Sequence, residues 1–130
     1  MEKSVKTMVV FEILTGAGLL LFWLGFFTIG LAPDNAPPCY LAYEHSFPLP
    51  DIILAAGMLT AAALLIKGKA AGKTLSLVCA GALIFLGVLA FSFNIQNGIY
   101  ALSVPDLVLN AFINLWCVFF GALLAWKLRN

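Results

Sequence analysis

Four long apolar segments constrain this chain more than any other feature of its sequence. They run over residues 7–31, 51–66, 74–93 and 106–126. Each is close to the ~20 residues that a helix needs to cross about 30 Å of hydrocarbon. Backbone groups in lipid must pair within their own segment, so we expect helices rather than strands. The sequence therefore predicts an all-α, integral membrane bundle of four transmembrane helices.

The composition also indicates a membrane protein made of one domain. Of the 130 residues, 63% are hydrophobic and 10% are charged, whereas soluble domains average ~45–50% apolar and ~25% charged residues. We therefore interpret residues 1–130 as a single four-span domain in the inner membrane of a cell. The net charge of +1 gives no basic field that would indicate a nucleic-acid partner. The expected partner is the lipid bilayer, and a homodimer or a larger membrane complex is left open.

The basic residues predict the orientation of the bundle. All seven precede the first segment, lie between the second and third, or follow the fourth: Lys3, Lys6, Lys67, Lys69, Lys73, Lys127 and Arg129. Helices that alternate in direction bring these positions to one side, which the positive-inside rule makes cytoplasmic. Both termini are then cytoplasmic, and loops 32–50 and 94–105 are extracytoplasmic. Four acidic residues fall on that outer side: Asp34, Glu44, Asp51 and Asp106.

The outer ends of the second and fourth segments carry signals for the start of a helix. Asp51 and Asp106 are expected in first turns, where the helix dipole favours carboxylates. Ser103 precedes Asp106 at the spacing of a capping box.

The first outer loop, residues 32–50, is rich in proline. Its five prolines predict a stiff cover over the bundle, with room for a short helix between Cys39 and Ser46. The tyrosines Tyr40 and Tyr43 are expected to lie near the membrane interface as aromatic belt residues.

Polar side chains recur on one face of the fourth segment. Asp106, Asn110 and Asn114 are spaced by four residues, and polar groups at membrane depth face the bundle interior or a water-filled cavity. We expect the two asparagines either to bind a ligand or to hydrogen-bond neighbouring helices.

A candidate binding site is predicted where this face meets the outer loops. Its predicted members are Glu44, His45, Asp51, Asn94, Asn97, Asp106, Asn110 and Asn114. A histidine among carboxylates suits a divalent cation, so His45, Glu44 and Asp51 would be the ligands of any metal ion. The simpler interpretation, which we favour, is that Asp51 and Asp106 cap helices and that Glu44 and His45 are solvated loop residues. No H-E-x-x-H, G-x-S-x-G, P-loop or Rossmann motif is present, and the sequence identifies no catalytic residue and no cofactor.

Glu12 is an acidic residue inside the first apolar segment, roughly 7 Å from its start. A carboxylate within the membrane indicates a function by default, here coupling to a proton or cation. The simpler interpretation is a side chain that snorkels to the surface and pairs with Lys6, Lys67 or Lys127.

Three functional hypotheses follow. The first, which the polar face, the acidic rim and the stiff cover favour, is binding of a small molecule or cation in a cavity open to the outer side, for transport or sensing. The second is an accessory subunit of a larger membrane complex, whose outer loop docks on a partner. The third and less favoured is a membrane-embedded enzyme acting on a lipid or quinone, with His45 or Glu44 as acid or base.

Overall fold

The chain is helical throughout, and its long helices match the four apolar segments. The computed structural model describes every residue from Met1 to Asn130. Its helices are α1 (Lys3–Thr28), α2 (Tyr40–Glu44), α3 (Pro48–Ile66), α4 (Ala70–Gln96) and α5 (Val104–Leu128), with a 3-10 turn at Ile99–Ala101. Four helical stretches are long and apolar enough to cross a membrane: Lys3–Thr28, Tyr40–Ile66, Ala70–Gln96 and Val104–Leu128. The prediction of an all-helical chain with four candidate spans is confirmed at this level.

The helices extend past the apolar segments because charged residues at their ends continue the helical backbone. α1 begins at Lys3 rather than at residue 7, and α4 begins at Ala70 rather than at residue 74. α1 ends earlier than predicted, at Thr28 rather than at residue 31. Gly30 has a φ of 87°, a left-handed conformation that ends helices and that glycine adopts without steric cost.

The four long helices form an antiparallel ring in which each contacts the next in sequence. α1 packs on α3, α3 on α4 and α4 on α5, whereas α5 and α1 touch far less. The termini and the α3–α4 turn therefore lie at one end of the bundle. We call it the basic end because all seven lysine and arginine residues are there. The opposite end, with α2 and the 3-10 turn, is called the acidic end.

Glycines set the close approach of α4 and α5. A Cβ atom on Gly121 would lie 2.8 Å from Ile84 Cγ1 and 2.9 Å from the carbonyl oxygen of Ala80. A Cβ atom on Gly87 would lie 2.6 Å from Val118 Cγ2. Small residues at such positions allow helix backbones to approach closely, so these two helices pack backbone against backbone.

Two clusters of buried side chains fill the bundle. The largest fully buried apolar side chains of the first cluster, in the basic half, are Met58, Leu83 and Leu124. The second cluster closes the acidic end and consists of Trp23, Phe26, Tyr40 and Ile99. Tyr40 is 3% exposed, so the expectation of a belt residue is wrong there. Its ring instead anchors α2 over the acidic end.

Candidate functional site

A cavity of about 470 Å³ lies between α1 and α5 in the acidic half of the bundle. Below it, the indole N–H of Trp116 donates a hydrogen bond of 2.9 Å to Thr15 Oγ1 and joins α5 to α1. Side chains of α4, Leu86 and Ala90 among them, line it from within the bundle. α2 and the residues after it form the roof, so the proline-rich loop does cover this space.

The opening of the cavity is at the side of the bundle. Of its 20 lining residues, those that are exposed are Leu14 and Gly18 on α1 and Phe112 on α5. The sequence predicts a cavity that opens at the outer end of the bundle. The observed cavity opens at the side instead, because Tyr43 and Phe47 cover it at the acidic end. The gap exists because α1 and α5 are the neighbours in the ring that contact each other least.

Five of the eight predicted binding residues line this cavity. They are Glu44, Asp51, Asn94, Asn110 and Asn114. Three of them are nearly inaccessible to bulk solvent, since Asp51 is 5% exposed, Asn94 2% and Asn114 4%. Residues from four helices thus bring their polar groups into one apolar space.

Asp51 is held by a tryptophan that the sequence analysis did not single out. The Nε1–H of Trp23 donates a hydrogen bond of 2.8 Å to Asp51 Oδ2, and both side chains line the cavity. Asp51 occupies the first turn of α3 as predicted, but it is a buried partner as well as a favourable charge at a helix start. The sequence does contain a signal for this bond. An indole N–H within an apolar helix requires an acceptor, and a nearby carboxylate is a suitable one.

The two asparagines of α5 do not bond to neighbouring long helices. Asn114 Nδ2 donates to the hydroxyl of Tyr100 over 2.6 Å, and Asn110 Nδ2 donates to the Asp106 carbonyl oxygen over 2.8 Å. Asn114 therefore joins α5 to the neighbouring 3-10 turn, whereas Asn110 bonds within its own helix. Both residues line the cavity, and their amide oxygens accept no side-chain hydrogen bond from the chain.

The remaining polar groups of the cavity also lack partners within the chain. No side-chain hydrogen bond involves Glu44 or Asn94. The hydroxyl oxygen of Tyr43 is buried and has no partner, while its ring stacks on Phe93 with centroids 3.7 Å apart and planes 4° from parallel. This stacking fastens α2 to α4 and fixes where Glu44 lies.

His45 lies outside the cavity, contrary to the predicted site. Its ring stacks on Phe27 at a centroid distance of 5.8 Å and an interplanar angle of 25°. No group of three or more His, Cys, Asp or Glu side chains is placed to hold a metal ion. The predicted metal ligands His45, Glu44 and Asp51 are therefore not brought together, because α2 turns the imidazole toward α1.

Asn97 and Asp106 serve helix ends rather than the cavity. Asn97 follows α4, where its Nδ2 donates to the Phe93 carbonyl oxygen over 3.0 Å and its Oδ1 accepts from the Cys39 thiol over 3.6 Å. Ser103 Oγ accepts from the Asp106 backbone N–H over 3.2 Å and donates to Asp106 Oδ2 over 2.6 Å. Ser103 therefore caps α5 as predicted, but the return bond of a capping box is replaced here by a bond between the two side chains.

Glu12 is buried in the bundle, away from the cavity lining. It is 0% exposed. Its polar neighbour is the buried Ser76 hydroxyl, but the two groups do not meet the geometry of a hydrogen bond. The interpretation as a snorkelling side chain paired with Lys6, Lys67 or Lys127 is therefore wrong. The reason is helical periodicity, since Glu12 shares with Met8 and Thr15 the face of α1 that is turned into the bundle.

The cavity lining combines aromatic walls with acidic groups. Its aromatic members are Phe22, Trp23, Tyr43, Phe47, Phe112 and Trp116. It contains the carboxyl groups of Glu44 and Asp51 and no lysine, arginine or histidine. Such a space can take an apolar body and give hydrogen bonds or a counter-charge to a polar head.

Comparison with known proteins found no family model, no curated protein and no solved structure that matches this chain. The chemistry of the cavity is therefore the basis on which a function can be inferred.

Proposed function

We propose that this chain is a single-domain, multi-pass membrane protein that binds a small molecule in the cavity between α1 and α5, for transport or sensing. The observation that carries the proposal is the convergence of the five predicted polar side chains, together with Thr15, in a mostly apolar cavity of about 470 Å³. Ligand pockets typically measure ~300–1,000 Å³ and combine apolar walls with a few polar groups. Glu12, outside this cavity, is a candidate for coupling binding to a proton or cation.

The apolar outer surface supports insertion in a membrane. Only 28 of 130 residues are buried. Large apolar side chains such as Leu21, Phe85 and Phe119 are 65%, 70% and 66% exposed. Soluble monomers rarely expose contiguous apolar patches beyond a few hundred Å², whereas lipid is a favourable environment for such a surface.

The distribution of charge supports one orientation. Every lysine and arginine lies at the basic end, and the positive-inside rule places that end in the cytoplasm, together with both termini. The cavity would then lie in the outer half of the membrane, with α2 at its outer surface. We take the inner membrane of a cell as the compartment.

The test is native mass spectrometry of the full chain, extracted gently from its own membrane. Ala90→Phe would fill the cavity, because Ala90 lines it. The matched control is Val88→Phe on the same helix, where Val88 is 54% exposed and outside the lining. We expect a retained small molecule in the unmodified protein and in Val88→Phe, and its loss in Ala90→Phe.

Other outcomes distinguish the alternatives. An empty protein that co-purifies with a second protein would overturn the proposal in favour of an accessory subunit. Retention of the same small molecule by Ala90→Phe would place its binding elsewhere on the chain. The enzyme hypothesis that uses His45 has less support, because the imidazole stacks on Phe27 outside the cavity.

A further inference from the structure

We propose that the ligand is an amphipathic organic cation whose amine head lies near Glu44 and Asp51 and whose apolar body lies against the aromatic wall. This inference rests on the proposed function, since it names the ligand class of the same cavity. It goes further by assigning the sign of the ligand's charge.

The first argument is the absence of a counter-charge for the cavity. Glu44 and Asp51 are the ionisable acids of its lining, and no basic residue accompanies them. The nearest lysine along α3 is Lys67, 16 residues from Asp51 and hence about 24 Å away along the helix. Carboxylates removed from water are stabilised by a cation in contact with them, and no side chain of the lining supplies one.

The second argument is a set of polar groups in the cavity lining that have no hydrogen-bond partner within the chain. Asn94 is 2% exposed and makes no side-chain hydrogen bond. The Tyr43 hydroxyl is buried without a partner, and Asp51 uses Oδ2 for Trp23 while Oδ1 has no donor. Buried polar groups in proteins are normally paired, so these groups indicate a missing hydrogen-bonding partner in this space.

The geometry of the acceptors favours an ammonium group. Trp23 fixes the orientation of the Asp51 carboxyl group, and the stacking of Tyr43 on Phe93 fixes α2. An ammonium group carries up to three N–H donors, and charge-assisted hydrogen bonds to carboxylates are the stronger kind. An anionic ligand would instead be repelled by the same two acids.

The aromatic side chains of the lining would contact the apolar body of such a molecule. Phe22, Trp23 and Trp116 line the same cavity as the carboxyl groups, and aromatic faces attract cations as well as apolar surface. The side opening between α1 and α5, flanked by Leu14 and Phe112, lies on the apolar surface of the bundle. An amphipathic amine dissolved in the bilayer could therefore enter without crossing the roof.

The test uses three probes that share one body and differ in the head group: 4-phenylbutylamine, 4-phenylbutanol and 4-phenylbutanoate. Binding to the full chain in lipid nanodiscs is measured through tryptophan fluorescence, with empty nanodiscs as the correction for partition into lipid. We expect the amine to bind at least about tenfold more tightly than the alcohol, because only the amine brings a positive charge to the two carboxyl groups. The anion should bind most weakly.

Two variants test whether the carboxyl groups are responsible. Asp51→Asn retains an oxygen that can accept from Trp23, and Glu44→Gln retains the size of the side chain. Each should reduce the preference for the amine over the alcohol about tenfold. The matched control, Asp106→Asn, removes a carboxylate from the same end of the bundle but outside the cavity, and should leave the preference intact. Thermal unfolding of each variant verifies that the fold is retained.

The outcomes separate this inference from the function on which it rests. Equal binding of all three probes, abolished by Ala90→Phe, would overturn the cation assignment while supporting a binding cavity. A preference for the anion, or an amine preference that survives both variants, would also overturn it. Failure of all three probes to bind would overturn the ligand class, and a natural ligand retained in native mass spectrometry would still support the binding cavity.

Discussion

The indole N–H of Trp23 and the carboxyl group of Asp51 form a buried hydrogen bond of 2.8 Å that joins α1 to the first turn of α3. The same two side chains line the cavity. One contact therefore contributes both to the packing of two long helices and to the acidic surface that a ligand would meet.

Trp23→Phe is expected to destabilise the bundle by about 1–3 kcal/mol, because the buried Asp51 oxygen loses its donor. The free energy of unfolding, measured by denaturant titration in mild detergent, checks this. Trp126→Phe is the matched control, since Trp126 is 55% exposed. An equal effect of the two substitutions would mean that the hydrogen bond contributes nothing specific.

Gly121→Ala is expected to cost about 1–3 kcal/mol, because the new methyl group would meet backbone of α4 and force the helices apart. Gly81→Ala provides the comparison: Gly81 is on α4, and its added Cβ would have no heavy atom within 4 Å. That change should be neutral or stabilise the helix by about 0.5–1 kcal/mol. The measurement is the melting temperature of each variant in the same detergent. Similar melting temperatures for Gly121→Ala and Gly81→Ala would contradict the close packing of α4 and α5.

The native cysteines offer a test of orientation. Cys39 is exposed at the acidic end, whereas Cys79 and Cys117 are buried. A membrane-impermeant maleimide applied to intact cells should label the unmodified protein and fail to label Cys39→Ser. A Cys39→Ser, Lys69→Cys double variant, which moves the thiol to the basic end, should be labelled only after the cells are permeabilised. Labelling of the double variant in intact cells would reverse the proposed orientation.

Glu12→Met is expected to stabilise the protein by about 1–3 kcal/mol, because it replaces a buried carboxyl group that has no hydrogen-bond partner with an apolar side chain of similar volume. Unfolding in detergent provides the measurement, and Glu2→Met at the exposed N-terminus provides the control. Marked destabilisation by Glu12→Met would indicate that the carboxyl group binds something in the folded protein, as a coupling site requires.

The helical architecture could be predicted because the segment lengths and the charge positions allow few alternatives. Runs such as 74–93 are too long and too apolar for a soluble helix, and lysines at 67, 69 and 73 mark a turn. The helix ends were less predictable. α1 begins at Lys3, a charged residue outside the apolar segment. α1 ends near Gly30 because that residue has a left-handed backbone conformation, which the pattern of apolar residues does not predict.

The candidate site was only partly predictable, for a different physical reason. The four-residue spacing of Asn110 and Asn114 is local and indicates an inward face directly. The positions of Glu44 and His45 depend on how α2 packs, and a one-residue step along a helix turns a side chain by about 100°. Glu44 therefore lines the cavity while His45 stacks on Phe27. The Trp23–Asp51 bond joins residues 28 positions apart, which no local pattern specifies.

The side opening between α1 and α5 would determine which phase supplies the proposed ligand. A site that is entered from the bilayer responds to the concentration of the molecule in lipid rather than in water. For a series of ligands with equal contacts inside the cavity, the apparent Kd referred to the aqueous phase would then fall in proportion to the lipid–water partition coefficient. Selectivity among such molecules would be set in part by the membrane itself, before any side chain of the cavity is touched.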